Sequence, residues 1–234
     1  MKDPKRTASI ASAMAGSLPV SIKCRLGVDV FDMNKLVEFV RINSEEGKVN
    51  HFIIHSRVGI LNKPLSPKQN YSIPQINYEP VVALKKQFPH LTFTVNGEIR
   101  TLKQVEHFHK QGINVMMGRH ALEFPFFFKD VDKHVFGKEG PRISRRQLVE
   151  EYAVMVEEEI KENLSSQKRS ERIILPVFCM VEPLFHLFND SPHRKNFNEK
   201  LRESLHTKKA HEIRIRDVFS NALKEIPAEH LDTK

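Results

Sequence analysis

The sequence predicts a parallel α/β unit over residues 1–140 and a small helical bundle over residues 141–234. Three observations carry this. Four short segments with strand patterning alternate with segments of helical periodicity. Each of the four ends in a polar or glycine-containing loop. Beyond Gly140 the strand pattern stops and only helical patterns follow. Alternation of this kind is the signature of a parallel sheet with crossover helices.

The elements follow in order. Pro4 to Gly16 is a short amphipathic helix with Ala11, Ala13 and Met14 on its apolar side, stopped by Gly16 and Pro19. Pro19 to Leu26 is a strand of period two, with Val20, Ile22 and Cys24 on one side and Ser21, Lys23 and Arg25 on the other. Asn34 to Asn43 is helical, its buried stripe being Leu36, Val37, Phe39 and Val40. His51 to His55 is a buried strand. Glu79 to Phe88 is a helix, and Leu91 to Val95 a strand running into Asn96-Gly97. Leu102 to Gln111 is a helix with Val105 and Phe108 inward, and Ile113 to Met117 a strand running into Gly118-Arg119. In the second part, Ser144–Asn163, Ile173–Phe188, Asn196–Leu205 and Arg214–Lys224 read as helices, with 164–171 as a polar connector. The segment Gly137–Pro141 marks the domain boundary.

Composition narrows the function classes. Of the 234 residues, 40% are hydrophobic, enough for a real core, and no apolar run reaches the roughly 18–20 residues of a membrane span. A soluble protein without a membrane partner is expected. The two cysteines, Cys24 and Cys179, have no ligand or disulfide spacing, which argues against a structural zinc and fits a reducing compartment. The polar start after Met1 is no secretory signal, so the expected location is cytoplasmic, with an organelle open if a segment precedes this one. The net charge of +8 suits a polyanionic partner, and Arg194 to Arg216 gathers eight basic side chains against Glu199, Glu203 and Glu212.

Four strands are half of a closed eight-stranded barrel, whose sites lie at the C-terminal strand ends. Those ends offer Lys23 and Arg25, then His55 and Arg57, then Asn96-Gly97, then Gly118-Arg119. The last two suit a phosphate, combining unobstructed backbone N–H groups with a guanidinium. Barrels often build such a site after strands seven and eight. The four strands are therefore read as numbers five to eight, the second half of a (β/α)8 TIM barrel.

Several stretches together resemble the tRNA-dihydrouridine synthases, and within them the A subfamily. Pro19-Val-Ser-Ile-Lys-Cys-Arg-Leu-Gly-Val-Asp29 is similar to the family's lysine-bearing strand, and Phe52-Ile-Ile-His-Ser-Arg57 to its FIIHAR strand. Leu65-Ser-Pro-Lys-Gln-Asn70 with Ile73-Pro74 and Tyr78 resembles LSPKEN…IPPLxY. Val95-Asn-Gly-Glu-Ile99 resembles INGGI, and Val115-Met-Met-Gly-Arg119 resembles VMxGR. The likeness resumes at Leu187 to Arg194. It implies an FMN enzyme that reduces a uridine of the tRNA D-loop to 5,6-dihydrouridine, with NADPH as reductant. Residues 1–140 would be a partial FMN-binding barrel and 141–234 a helical tRNA-binding domain.

By the same resemblance, Lys23 contacts the flavin ring near N1 and O2, His55 contacts the flavin, and Asn96, Gly97, Gly118 and Arg119 bind its phosphate. Arg25, Arg57 and Lys68 fall to the substrate nucleotide, and Arg194 and Lys195 to the tRNA. No metal is implied, and the complete protein is expected to be monomeric.

The pattern departs from the family in three places. The general acid is a cysteine in an NxGCP-like motif, which is not present in this sequence, so no catalytic residue is assigned and activity of the chain by itself is left open. Cys24 and Cys179 are read as packing residues. Glu98 stands where the family has a second glycine, a carboxylate poorly suited to a phosphate site. Pro192-His193-Arg194-Lys195 stands in place of a PGAR-like turn. A half barrel also leaves two strand edges unpaired, and a chain that continues upstream is the expected remedy. The alternatives are a non-catalytic RNA-binding remnant, or an FMN barrel oxidoreductase acting on a small pyrimidine.

Overall fold

The computed structural model describes residues 1–63, 65–66, 69, 74–140, 143–165, 177–206 and 214–232. They form two compact units, Met1–Gly118 and Arg119–Lys234.

The first unit opens with α1 (Pro4–Met14), where Asp3 caps the N-terminus by accepting from the Arg6 amide at 2.9 Å and Pro4 supplies the φ needed at the start. Its buried residues are Ala8 and Ala11, whereas Ala13 and Met14 are exposed. The expected face was therefore rotated: small residues are selected because α1 packs against α2, and Ala8 lies where a side chain on Gly47 would collide with it. After β1 (Ser21–Arg25) comes a small hairpin, β2 (Gly27–Val28) and β3 (Val30–Phe31). Its turn residue Asp29 has φ of 64°, a left-handed conformation that Asp tolerates better than most residues. Two-residue strands carry too little periodicity to be read from sequence. Then follow α2 (Met33–Glu45), capped by Asp32, β4 (His51–His55), α3 (Glu79–Gln87), β5 (Thr92–Asn96), α4 (Leu102–His109) with a Thr101/Gln104 capping box, and β6 (Asn114–Met116).

The four long strands make one sheet in the order β1-β4-β5-β6, every pair parallel. In-register residues of parallel strands share a face, and alternate residues face opposite ways. One set of rows is Ile22–Phe52–Phe93 and Cys24–Ile54–Val95–Val115. Phe52, Ile54, Phe93 and Val95 are fully buried, and the Phe52 and Phe93 rings stack at 5.9 Å. The other face carries Lys23–Ile53–Thr94–Asn114 and, at the strand ends, Arg25–His55–Asn96–Met116. This face is markedly more polar. The α/β architecture with a parallel sheet is as the sequence predicts.

The second unit contains α5 (Arg119–Glu123), a 3-10 turn at Pro125–Asp130, α6 (Val131–Phe136), α7 (Arg145–Ser165), α8 (Val177–Val181), a second 3-10 turn at Glu182–His186, α9 (Arg194–His206), α10 (Ile215–Leu223) and α11 (Ala228–Leu231). Its core joins Val149, Ala153 and Val156 of α7 to Phe188, Phe197 and Phe219. Phe126 belongs to the same core, with the buried Arg145 guanidinium 4.2 Å over its ring. Packing therefore puts the break at Gly118–Arg119, earlier than the expected 137–141, because residues after β6 bury their aromatics against the helical part. The helix expected over 173–188 is also corrected. The α-helix ends at Val181 and Pro183 leads into 3-10 geometry, since proline lacks an N–H and crowds the preceding turn. Residues 173–176, like the connector from 166 onward, lie outside the described residues. No helix among the described residues is long and apolar enough to cross a membrane.

Candidate functional site

The C-terminal ends of β1, β4, β5 and β6 bring Arg25, His55, Asn96 and Met116 into one register row on the polar face. Lys23 stands one row below on that same face. It is exposed and makes no hydrogen bond or ion pair among the described residues. His55, Asn96 and Gly97 thus stand at one end of one sheet, with Lys23 on the same face one row below them. Gly118 closes the first unit two residues after β6.

The turn after β5 is closely built. Gly97 has φ of 116°, a conformation essentially reserved for glycine. A Cβ there would fall 2.7 Å from Cδ2 of His55 and 2.6 Å from Cδ1 of Ile76, so the backbone passes directly against the imidazole. The Asn96 side-chain amide donates to the Met116 carbonyl at 2.9 Å and ties the ends of β5 and β6 together. The Ser56 amide donates to the Asn96 carbonyl at 2.9 Å, extending the β4–β5 ladder past the strands. Tyr78 donates its hydroxyl to the Gly97 carbonyl at 2.7 Å, and its ring meets Phe108 edge-on at 5.1 Å. Burial, and then the Glu98 carboxylate, push the Tyr78 phenol above its ordinary pKa, so it stays a donor. By contrast, a Cβ on Gly118 would meet nothing within 4 Å, leaving open space over that backbone.

Arg25 is half-buried and donates to the Val58 carbonyl at 3.1 Å, with its side chain lying across Gly59. Arg57 corrects the sequence reading. It is 3% exposed, and its guanidinium is engaged by the Pro74 carbonyl and the Glu98 carboxylate rather than presented to a substrate. Glu98 is corrected with it. The residue takes a left-handed φ of 52°, as glycine would, and turns its carboxylate onto Arg57, which compensates the charge. A pairing across 41 positions left no sequence signal. Lys68 lies outside the described residues.

Burial pushes the Cys24 thiol up to about 12, so it carries no thiolate near neutrality, in keeping with its reading as a packing residue. Cys179 is exposed, against the expectation that it packs in the core, because it falls on the outer side of the short α8. Asp29 was not read as a structural residue. Its carboxylate accepts from the Leu61 and Asn62 amides at 2.6 and 2.8 Å, anchoring the loop that leaves β4, and those bonds hold its pKa below the ordinary value.

In the second unit, Arg119 begins α5. Arg194 and Lys195 begin α9 and are exposed, with Phe197 and Leu201 fully buried and Leu205 partly buried on the inward stripe, as expected. Several tail cations already have partners: Lys195 lies 3.9 Å from Glu199, Lys200 3.2 Å from Glu203, and Arg216 3.0 Å from Glu157. Arg202 stacks over Phe185 at 4.7 Å. Among the described residues no cluster of His, Cys, Asp and Glu could hold a metal.

Comparison with known proteins identifies the family. The family model described as Dihydrouridine synthase (Dus) matches residues 1–223. The chain is 32% identical over 232 residues to a tRNA-dihydrouridine(20/20a) synthase of Vibrio vulnificus, covering 98% of this chain and 66% of that protein. It is 30% identical over 235 residues to the Vibrio cholerae protein of the same name, covering 99% and 67%. A Synechocystis protein of that name is 34% identical over 207 residues, covering 87% and 58%. The chain thus spans roughly two thirds or less of the length of these relatives. A family-model match over residues 1–223, together with relatives that are 30–32% identical over nearly the whole chain, shows that the chain belongs to the dihydrouridine synthase family.

Proposed function

We propose that this chain takes part in the flavin-dependent reduction of uridine to 5,6-dihydrouridine in the D-loop of tRNA. Its first unit would supply strands five to eight of a TIM barrel and its second unit a tRNA-contacting helical domain. The observation that carries the reading is the row of Arg25, His55 and Asn96 at the strand ends, with Lys23 beneath it.

The residues present suit FMN. Gly97 lets the turn press against the His55 and Ile76 side chains, which any side chain of its own would prevent, and Gly118 leaves its backbone open. Asn96, Gly97 and Gly118, all in the first unit, would hold the phosphate through backbone N–H groups. Lys23, an exposed cation without a protein partner among the described residues, would stand by the ring at N1 and O2, where positive charge favours the reduced anion. His55, fixed against Gly97, would orient the ring edge. When bound, FMN would supply the hydride to uracil C6, regenerated by NADPH. Arg25, anchored at Val58, would meet the uracil edge of a base taken out of its stack. The proton for C5 requires an acid that Cys24 does not provide, its thiol being buried and on the opposite face. Arg194 and Lys195 would meet tRNA phosphates.

The test is titration of the purified chain with FMN, followed by flavin fluorescence, in wild type and Lys23→Ala. Saturable binding that weakens in the variant is expected. A folded chain that ignores FMN would sink the cofactor assignment. Mass spectrometry of D-loop nucleosides, looking for a gain of two hydrogens, then tests the substrate.

A further inference from the structure

We propose that Arg57 and Glu98 form a positioning latch that ties the segment 74–78 to the Gly97 turn and presets the anion-binding geometry there. The inference rests on reading that turn as part of the FMN site.

The chain leaves β4 at His55 and comes back to the end of β5 at residues 74–78. Three stitches hold it there. The Asn77 amide donates to the Ser56 carbonyl at 2.8 Å, and the Tyr78 hydroxyl donates to the Gly97 carbonyl at 2.7 Å. The third is Arg57, whose Nη1 donates to the Pro74 carbonyl while Nη2 donates to Glu98. Arg57 reaches the two acceptors from two different nitrogens of one rigid plane, a span that a lysine would have to cover from a single Nζ.

The burial is asymmetric: the Arg57 side chain is 4% exposed and that of Glu98 38%. Arg57 is the embedded post and Glu98 the catch that closes on it from the surface. Glu98 holds a left-handed backbone that glycine would adopt without strain. Glycine would leave the turn relaxed and remove the carboxylate from the guanidinium. The acidic side chain therefore accounts for itself through Arg57, and its charge is compensated before any phosphate reaches the turn. Because Gly97 and Glu98 are consecutive, holding Glu98 also holds the Gly97 amide and the face it presses on His55.

The experiment compares the full chain with Glu98→Gln, Glu98→Gly and Arg57→Lys by two readouts. Amide hydrogen exchange at Asn77 reports the returning segment, with β4–β5 ladder amides as internal reference. FMN titration reports the turn. Asn77 exchange is expected to rise on the order of tenfold in each variant while the ladder amides hold, with FMN affinity weakened by about tenfold. Unchanged Asn77 exchange in Glu98→Gln and Arg57→Lys overturns the latch. So does faster exchange with FMN affinity intact, since the pair would then stabilise the loop without presetting the site. If wild type binds no FMN, the cofactor reading fails, and the latch stands or falls on Asn77 alone.

Discussion

Replacing Gly97 by alanine isolates the tightest contact at the site. The new methyl carbon would sit 2.6 Å from Ile76 Cδ1, 2.7 Å from His55 Cδ2 and 3.0 Å from His55 Nε2. Carbon atoms pack comfortably at about 3.5–4.0 Å, so each neighbour must retreat by roughly an ångström. Ile76 presents the end of a flexible side chain and can yield. His55 is held on β4, in register with Arg25 and Asn96, and its ring must rotate or the turn must open. A left-handed φ of 116° adds backbone strain of about 1–3 kcal/mol, and overpacking of this kind costs about 1–3 kcal/mol more. Urea unfolding should therefore show a loss on the order of 3 kcal/mol, enough to shift the midpoint clearly without abolishing folding in a domain of ordinary stability. FMN affinity should fall as well, since both the turn and His55 move. Gly118→Ala is the control: its methyl meets open space, so stability should change by no more than about 0.5 kcal/mol. Equal stability of Gly97→Ala and wild type would refute the close approach of backbone to imidazole.

Further outcomes follow from the same geometry. A thiol reagent at mildly alkaline pH should label Cys179 and leave Cys24 untouched, because Cys179 is exposed and the Cys24 thiol lies near 12; fast labelling at both would contradict the burial of Cys24. The depressed pKa of Asp29 contributes stability above its ordinary value of 3.8, and that stability is lost as pH falls through the lower folded value. Wild type should therefore lose more stability than Asp29→Asn when acidified below that range, and parallel curves would remove the anchor role. In tRNA binding, Arg194→Ala should flatten the log–log salt slope by about 0.9 if it meets one phosphate. Lys195→Ala and Lys200→Ala should each change it less, since Glu199 and Glu203 already share those charges. Equal effects of all three would assign the surface ion pairs no weight.

Much of the fold was legible because it rests on local patterns. Period-two residues around Lys23, an apolar run at Phe52–Ile54 and helical stripes such as Leu36, Phe39 and Val40 each decide an element within a dozen positions. The rotated face of α1 was not legible, because the choice of Ala8 over Met14 depends on how closely α1 approaches α2. The break at Gly118 was missed for a related reason. Phe126 reads as one aromatic among many until its ring is found beneath Arg145.

The site divides along the same line. The sequence by itself determined that His55, Asn96 and Gly97 stand at strand ends and that Lys23 shares a strand face with Arg25, since alternation and the glycine-bearing turn are properties of neighbouring residues. Only the tertiary structure decided what Arg57 and Glu98 do. One looked like a substrate cation and the other like a misplaced charge. Their pairing depends on strands β4 and β5 lying side by side, which brings positions 41 apart into one hydrogen bond. The role of a charged residue is decided by what it faces, and what it faces is set by packing between elements, which no local pattern encodes.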